Sequence, residues 1–199
     1  MLRPILATAA LALTAGLAVA QTTAPSAPPP TGGSIAASET ASRQSRDRDR
    51  YQAIQAVQVQ LSQAIDTAEA QGGGGGRAVE AEFERAERNE PAHYEIKVLH
   101  TDGRLVEHYI DATTGQVTKS ENQPVERYFT RLKPEDVRAA RTSLKQAIAL
   151  AEGRAGAGAR AVEAEIEREG GAVAYEIDVA TPDRTREFKV SADGQVTDG

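Results

Sequence analysis

The strongest constraint on the fold is a nine-residue stretch that occurs twice. "RAVEAEFER" spans residues 77–85 and "RAVEAEIER" spans residues 160–168, and the two differ only at Phe83 and Ile166. The match extends in both directions along the chain, while the offset between matching residues falls from 83 to 79. Length changes are therefore confined to predicted loops. We infer the duplication of a whole domain of about 65–70 residues.

A helix is predicted at the start of each unit. Apolar residues recur at spacings of three and four, the period of a helix with one apolar face. Pro134 suits the first position of the second helix, and Gly72 and Gly153 are predicted to end the two helices. The apolar stripe is Ile54, Val57, Leu61, Ile65 and Ala68 in the first unit and Val137, Ala140, Leu144, Ile148 and Ala151 in the second.

The repeated nine-residue stretch is predicted to be a strand, although Ala, Glu and Arg favour helices. Its apolar residues alternate strictly with glutamates, and a strand places the two sets on opposite faces. Two further strands follow, joined by a hairpin at Gly103 in the first unit. Their register places His108 where the second unit has a core phenylalanine. The predicted inner-face pairs are Tyr94 with Ile110, Ile96 with His108, Tyr175 with Val190 and Ile177 with Phe188.

The predicted fold class is α+β, with two tandem repeats. Each repeat has one N-terminal helix packed on a three- or four-stranded antiparallel meander, over residues 51–119 and 134–199, with a linker at 120–133. A unit of this size buries only about 60% of its chain's surface, so we expect the copies to contact each other. The linker residues expected to dock them are Val125, Tyr128, Phe129 and Leu132, which lie at helical spacing.

The first 50 residues are predicted to lie outside the repeats. Residues 1–20 have a basic start, an apolar run too short to span a membrane and a small-x-small end, which is typical of a secretory signal peptide. Residues 21–50 are rich in Pro, Ser, Thr and Ala and are predicted to be a disordered tether. We expect an exported protein, periplasmic or secreted, with no membrane span after cleavage.

Composition argues against several classes of function. The net charge is −6, and about −7 without the signal, which argues against a nucleic acid partner. The chain has no Cys, which removes thiolate nucleophiles and thiolate metal sites. The glycine runs lack the Lys-Ser/Thr ending of a phosphate loop. His93, His100 and His108 all lie in the first unit and are not expected to converge on one ion. We expect no catalytic, cofactor or metal site.

Two ladders of glutamates form the candidate functional surface. Alternate residues on a strand stand about 6.8 Å apart, too far for neighbours to close on one calcium ion. An open sheet face offers no cleft for acid–base catalysis by paired carboxylates. Two interpretations remain: a solvated face that preserves solubility, and a docking face for a basic protein or peptide. The candidate partner-binding residues are Glu80, Glu82, Glu84, Glu163, Glu165 and Glu167.

The pattern resembles the PepSY domain family, named for its occurrence in propeptides of thermolysin-like secreted metallopeptidases. The family signature is a Tyr-rich strand, a Gly turn and a strand ending Asp-Ala-x-Thr-Gly. The first copy has Tyr94, Gly103 and this motif at 111–115, whereas the second has Tyr175 but Ser191 in place of the Asp.

The resemblance implies a non-catalytic exported module that inhibits or regulates a protease. We expect it to act in trans, because no peptidase domain follows. The implied partner is an exported peptidase or another envelope protein. The alternative function is a small-ligand or cation-binding protein of the cell envelope.

Overall fold

The computed structural model describes residues 33–129, 132–169 and 171–199, so the predicted signal peptide and the first part of the predicted tether lie outside it. The helices are α1 (Gly33–Ala56), α2 (Leu61–Glu69), α3 (Pro124–Phe129), α4 (Pro134–Ala139) and α5 (Leu144–Ala155). The strands are β1 (Arg77–Glu84), β2 (His93–Leu99), β3 (Leu105–Asp111), β4 (Val117–Asn122), β5 (Arg160–Glu169), β6 (Ala172–Ala180), β7 (Thr185–Ser191) and β8 (Val196–Asp198).

The strands form one antiparallel sheet in the order β4-β3-β2-β1-β5-β6-β7-β8. Each repeat supplies a four-stranded meander, and the meanders join where β1 pairs antiparallel with β5. At the centre of this pairing Ala81 lies opposite Ala164, its own counterpart 83 residues later. An approximate twofold axis therefore passes through this pair, as in a dimer of identical subunits. The predicted α+β class is confirmed, and the two copies meet by direct strand pairing.

The core lies between the sheet and the helices α2 and α5, each of which packs on strands of its own repeat. The predicted registers are confirmed, with Ile96 opposite His108 and Ile177 opposite Phe188. All four of these side chains are buried. The buried helix residues are Leu61, Ala64, Ile65 and Ala68 on α2 and Leu144, Ala147, Ile148 and Ala151 on α5.

The N-terminal helix of each repeat is interrupted, so the prediction of one continuous helix is wrong. The break lies at residues 57–60 between α1 and α2, and at residues 140–143 between α4 and α5. The Ser143 hydroxyl, just before α5, accepts a hydrogen bond from the Gln146 backbone amide. The Gln146 side chain in turn accepts a hydrogen bond from the Ser143 backbone amide. This reciprocal cap satisfies amides that a helix start otherwise leaves unpaired. The apolar stripe continues across the break, which is why periodicity alone indicated one helix.

A buried tyrosine holds each break in place. The Tyr94 hydroxyl donates to the Val59 carbonyl at 2.6 Å, and the Tyr175 hydroxyl donates to the Thr142 carbonyl. Burial raises the pKa of Tyr175 to about 12, so its hydroxyl stays a donor at physiological pH. The backbone amides at the same two break positions donate to the carbonyls of Ala112 and Ala192. The tyrosine that marks each repeat is thus a structural anchor between sheet and helix.

Helix ends and the tether differ from expectation. Gly153 lies inside α5, which continues to Ala155 and is capped by Gly156, so the predicted stop is wrong. Residues 33–50, predicted to be disordered, lie in α1. From residue 38 to residue 50 the helix is polar and mostly exposed. Its C-terminal end is anchored because Ile54 is buried and the Gln55 side-chain amide donates to the Gly158 carbonyl at 2.8 Å. Packing at one end therefore continues the helix into a segment with little apolar surface.

The linker does not dock the copies as predicted. Val125 and Tyr128 on α3 are 72% and 84% exposed, so the docking prediction is wrong for both. The side chain of Phe129 lies outside the described residues. Leu132 is buried and lines the same small cavity as Val79 of repeat 1 and Ile166 of repeat 2. Leu132 thus lies between the two copies, whereas Val125 and Tyr128 face solvent.

Candidate functional site

The structure brings the two glutamate ladders together. In the β1–β5 pairing Glu80 lies opposite Glu165, and Glu82 lies opposite Glu163. Residues directly opposite in antiparallel strands have Cβ atoms about 4.5–5.5 Å apart, so like charges there repel. We call these four glutamates the junction surface. Sequence reasoning found each ladder but did not place one beside the other.

The other two predicted glutamates flank this surface. Because β1 and β5 run in opposite directions, Glu84 and Glu167 lie beyond opposite ends of the paired segment. Glu84 is half-buried opposite His93 on β2, and Glu167 is exposed opposite Ala174 on β6. They extend the acidic surface along the two strands without joining its centre.

Burial, together with neighbouring carboxylates, raises carboxyl pKa values at the junction surface. Burial and the facing Glu163 carboxylate raise the pKa of Glu82. Burial and Glu80 likewise raise the pKa of Glu165. On the neighbouring β6, burial and Glu163 raise the pKa of Asp178. The junction surface is therefore a region of negative potential that its own cations leave incompletely neutralised.

Arg50 and Lys97 supply part of the missing positive charge. Arg50 extends from α1 across both repeats, with one guanidinium nitrogen 3.5 Å from Glu163 and 3.9 Å from Glu82. The Lys97 ammonium lies 2.9 Å from Glu80 and 2.8 Å from a carboxylate on α3. Partly exposed ion pairs of this kind contribute at most about 1 kcal/mol each. Arg50 lies in the predicted tether, and only the "RDRDR" run signalled a charged role for that segment.

The three histidines have different environments. His93 bonds to the Pro91 carbonyl and the Glu95 carboxylate, and these bonds raise its pKa although burial opposes the rise. His100 and His108 are both buried. In the part of the chain that the structure describes, no three His, Cys, Asp or Glu side chains are arranged to hold a metal ion.

The Asp-Ala-x-Thr-Gly motif has a structural role. One Asp111 carboxylate oxygen accepts the amides of Thr113 and Thr114 at 2.9 and 2.7 Å, and these bonds lower its pKa. In the second repeat the Ser191 hydroxyl accepts the Gln195 amide instead. The Asp-to-Ser departure therefore keeps a side-chain acceptor in the turn after the third strand.

Over residues 33–129, 132–169 and 171–199, none of the helices combines the length and apolar character that crossing a bilayer requires.

Comparison with known proteins finds one family in two segments of the chain. The family model "PepSY: Peptidase propeptide and YPEB domain" matches residues 58–121 and 142–195. Among curated proteins, none matches this chain. A solved structure titled as a "putative lipoprotein (CD1622)" from Clostridium difficile 630 is 18% identical and covers 71% of this chain and 91% of its own, with a TM-score of 0.41. Each family match begins at a helix break and contains one buried tyrosine anchor.

Proposed function

The chain belongs to the PepSY family, and on this basis we propose that it is an exported, non-catalytic module that binds a protein partner through the junction surface. The partner that fits best is an exported peptidase or another envelope protein with a basic surface, which the module inhibits or regulates in trans. The family description, with its peptidase propeptides, supports the protease link.

The observation that carries this proposal is the pairing of like charges at the centre of the sheet. Folding brings Glu80 against Glu165 and Glu82 against Glu163, which costs electrostatic energy rather than adding stability. A partner that presents Arg or Lys side chains here would relieve that repulsion. Complementary potentials of this kind favour specificity and fast association.

The first test is affinity capture of native envelope and secreted extract with residues 21–199. The binding variant carries Glu163→Lys and Glu165→Lys, whose new lysines face Glu82 and Glu80 and are therefore expected to preserve the sheet. The matched control carries the same charge change at the exposed Glu121 and Asp183.

We expect the natural chain and the control to retain a protein that the junction variant loses, and its affinity to fall as salt rises. Equal retention by all three forms would exclude the junction surface as the binding site. A retained protein without peptidase activity would overturn the protease part alone.

A further inference from the structure

Repeat 1 contains two buried histidines at positions where repeat 2 has no titratable group. His108 is 3% exposed and occupies the position of Phe188, since each lies opposite the matching isoleucine of the preceding strand. His100 is 5% exposed and occupies the position of Thr181 at the end of that strand. The two repeats are otherwise built alike, so each provides a reference for the other.

The His108 ring is incompletely satisfied. Its Nδ1 atom lies 2.8 Å from the Ser120 hydroxyl on β4, while its buried Nε2 atom has no hydrogen-bond partner among the described residues. Buried polar atoms are nearly always paired, because an unpaired one destabilises the fold. Phe188 in the other repeat shows that the same position accepts a ring without any polar atom. Packing alone therefore does not require a histidine there.

The glycine run of repeat 1 accommodates the second ring. A Cβ atom added at Gly72 would lie 2.8 Å from His100 Cε1, and one added at Gly76 would lie 3.2 Å from His100 Nδ1. The equivalent residues in repeat 2 are Ala155 and Ala159, where the histidine is replaced by threonine. The glycines and the imidazole thus occur together in one repeat and are absent together from the other.

Few charges face the two rings. The face of the sheet that points away from the two rings carries the charged residues of β2 and β4, together with Glu107 and α3. On the inner side Asp66 of α2 is paired with Lys145, and Glu69 of α2 accepts the Ala78 amide. Asp102, beside His100, pairs with Arg104 at 2.7 Å. No carboxylate among the described residues forms a hydrogen bond or ion pair with His108.

We propose that His108 forms an acid-sensitive switch, by which repeat 1 opens at low pH while repeat 2 stays closed. Burial favours the neutral form of the His108 ring. Acidification places a positive charge in the apolar core of repeat 1 unless β3 and β4 separate and expose this ring to water.

The direction of the pH effect follows from proton binding. Burial lowers the pKa of His108 below its usual value. As pH falls through about 6.5, His108 therefore binds a proton in the open state before it does so in the closed state. The closed state of repeat 1 is stable above that pH and loses stability below it. At pH 5.0, one histidine that titrates with its ordinary pKa in the open state favours opening by at most about thirtyfold.

The test is hydrogen exchange of the full chain at pH 7.5 and 5.0, resolved by strand and corrected for intrinsic exchange rates. We expect protection of β3 and β4 to fall at least tenfold relative to β7 and β8. The double variant His100→Thr, His108→Phe, which installs the residues of repeat 2, should abolish the difference. His93→Gln is the matched control and should retain it.

A reciprocal variant keeps the proposal testable if the double variant folds poorly. Phe188→His should make β7 acid-sensitive in the same assay. Equal loss of protection in both repeats, no loss at pH 5.0, or loss that persists in a folded double variant would each overturn the switch. So would a Phe188→His variant whose protection does not change with pH.

Discussion

The tyrosine anchor gives the most direct test of how this fold is held together. In Tyr94→Phe the hydroxyl that donates to the Val59 carbonyl at 2.6 Å is removed, while the ring remains. Tyr94 is fully buried, so bulk solvent does not reach its side chain. The ring also keeps its tilted contact with Phe83, whose centroid lies 5.4 Å away. The substitution therefore isolates one hydrogen bond from the packing around it.

The expected cost follows from the unpaired carbonyl. Leaving a buried acceptor without its donor costs about 1–3 kcal/mol, more than the roughly 1 kcal/mol net value of a typical hydrogen bond. We expect Tyr94→Phe to lower the free energy of unfolding by this amount. Tyr175→Phe should have a similar effect, because its hydroxyl donates to Thr142 at the same break of repeat 2.

Urea unfolding followed by circular dichroism measures this cost from the shift in midpoint at unchanged slope. Tyr128→Phe is the control, since Tyr128 is 84% exposed and surface substitutions usually change stability by less than about 0.5 kcal/mol. If Tyr94→Phe were as stable as that control, the hydroxyl would not be the anchor of the helix break. The break would then depend on the backbone hydrogen bonds alone.

Further predictions concern the junction and the glycines. Glu165→Gln should weaken the pH dependence of unfolding. The pKa of Glu165 is raised in the folded state, so the stability that its protonated form contributes below pH 4.5 is lost as pH rises through the folded-state pKa. Urea midpoints of the variant, measured from pH 4 to 7, should therefore give a flatter curve than those of the natural chain. Gly76→Ala should destabilise by about 1–3 kcal/mol because its Cβ would lie 2.5 Å from Val98 Cγ1, and an unchanged melting temperature would contradict this. Gly153→Ala should stabilise α5 by about 0.5–1 kcal/mol, because a Cβ there meets open space, and a lower melting temperature would contradict it.

Local patterns were sufficient for the strands and their registers. The alternation of apolar residues with glutamates predicted β1 and β5 against the helix propensity of Ala and Glu. Agreement between the repeats placed His108 opposite Ile96 and Phe188 opposite Ile177, as the structure confirms. Period-two patterns report which face of a sheet is buried, and that information is local to the strand.

Features that depend on distant partners were not predictable. The helix break in repeat 1 is held by Tyr94 and Ala112, which are far from Val59 in sequence, while the apolar stripe runs through the break without a signal. The β1–β5 pairing places glutamates against glutamates, which charge patterning disfavours. Arg50 contacts the junction surface only because packing of Ile54 continues α1 into a polar segment.

The symmetry of the β1–β5 pairing has a consequence for assembly. A chain with a single repeat would carry β1 as an open sheet edge, which only a second chain could cover. The stability of such a dimer would depend on protein concentration and fall on dilution. Tandem duplication supplies the matching edge covalently, at an effective concentration on the order of millimolar for a short connection. The eight-stranded sheet can then persist at any dilution. Each repeat can also acquire residues that the other lacks, such as the buried histidines of repeat 1, which a dimer of identical subunits could not do.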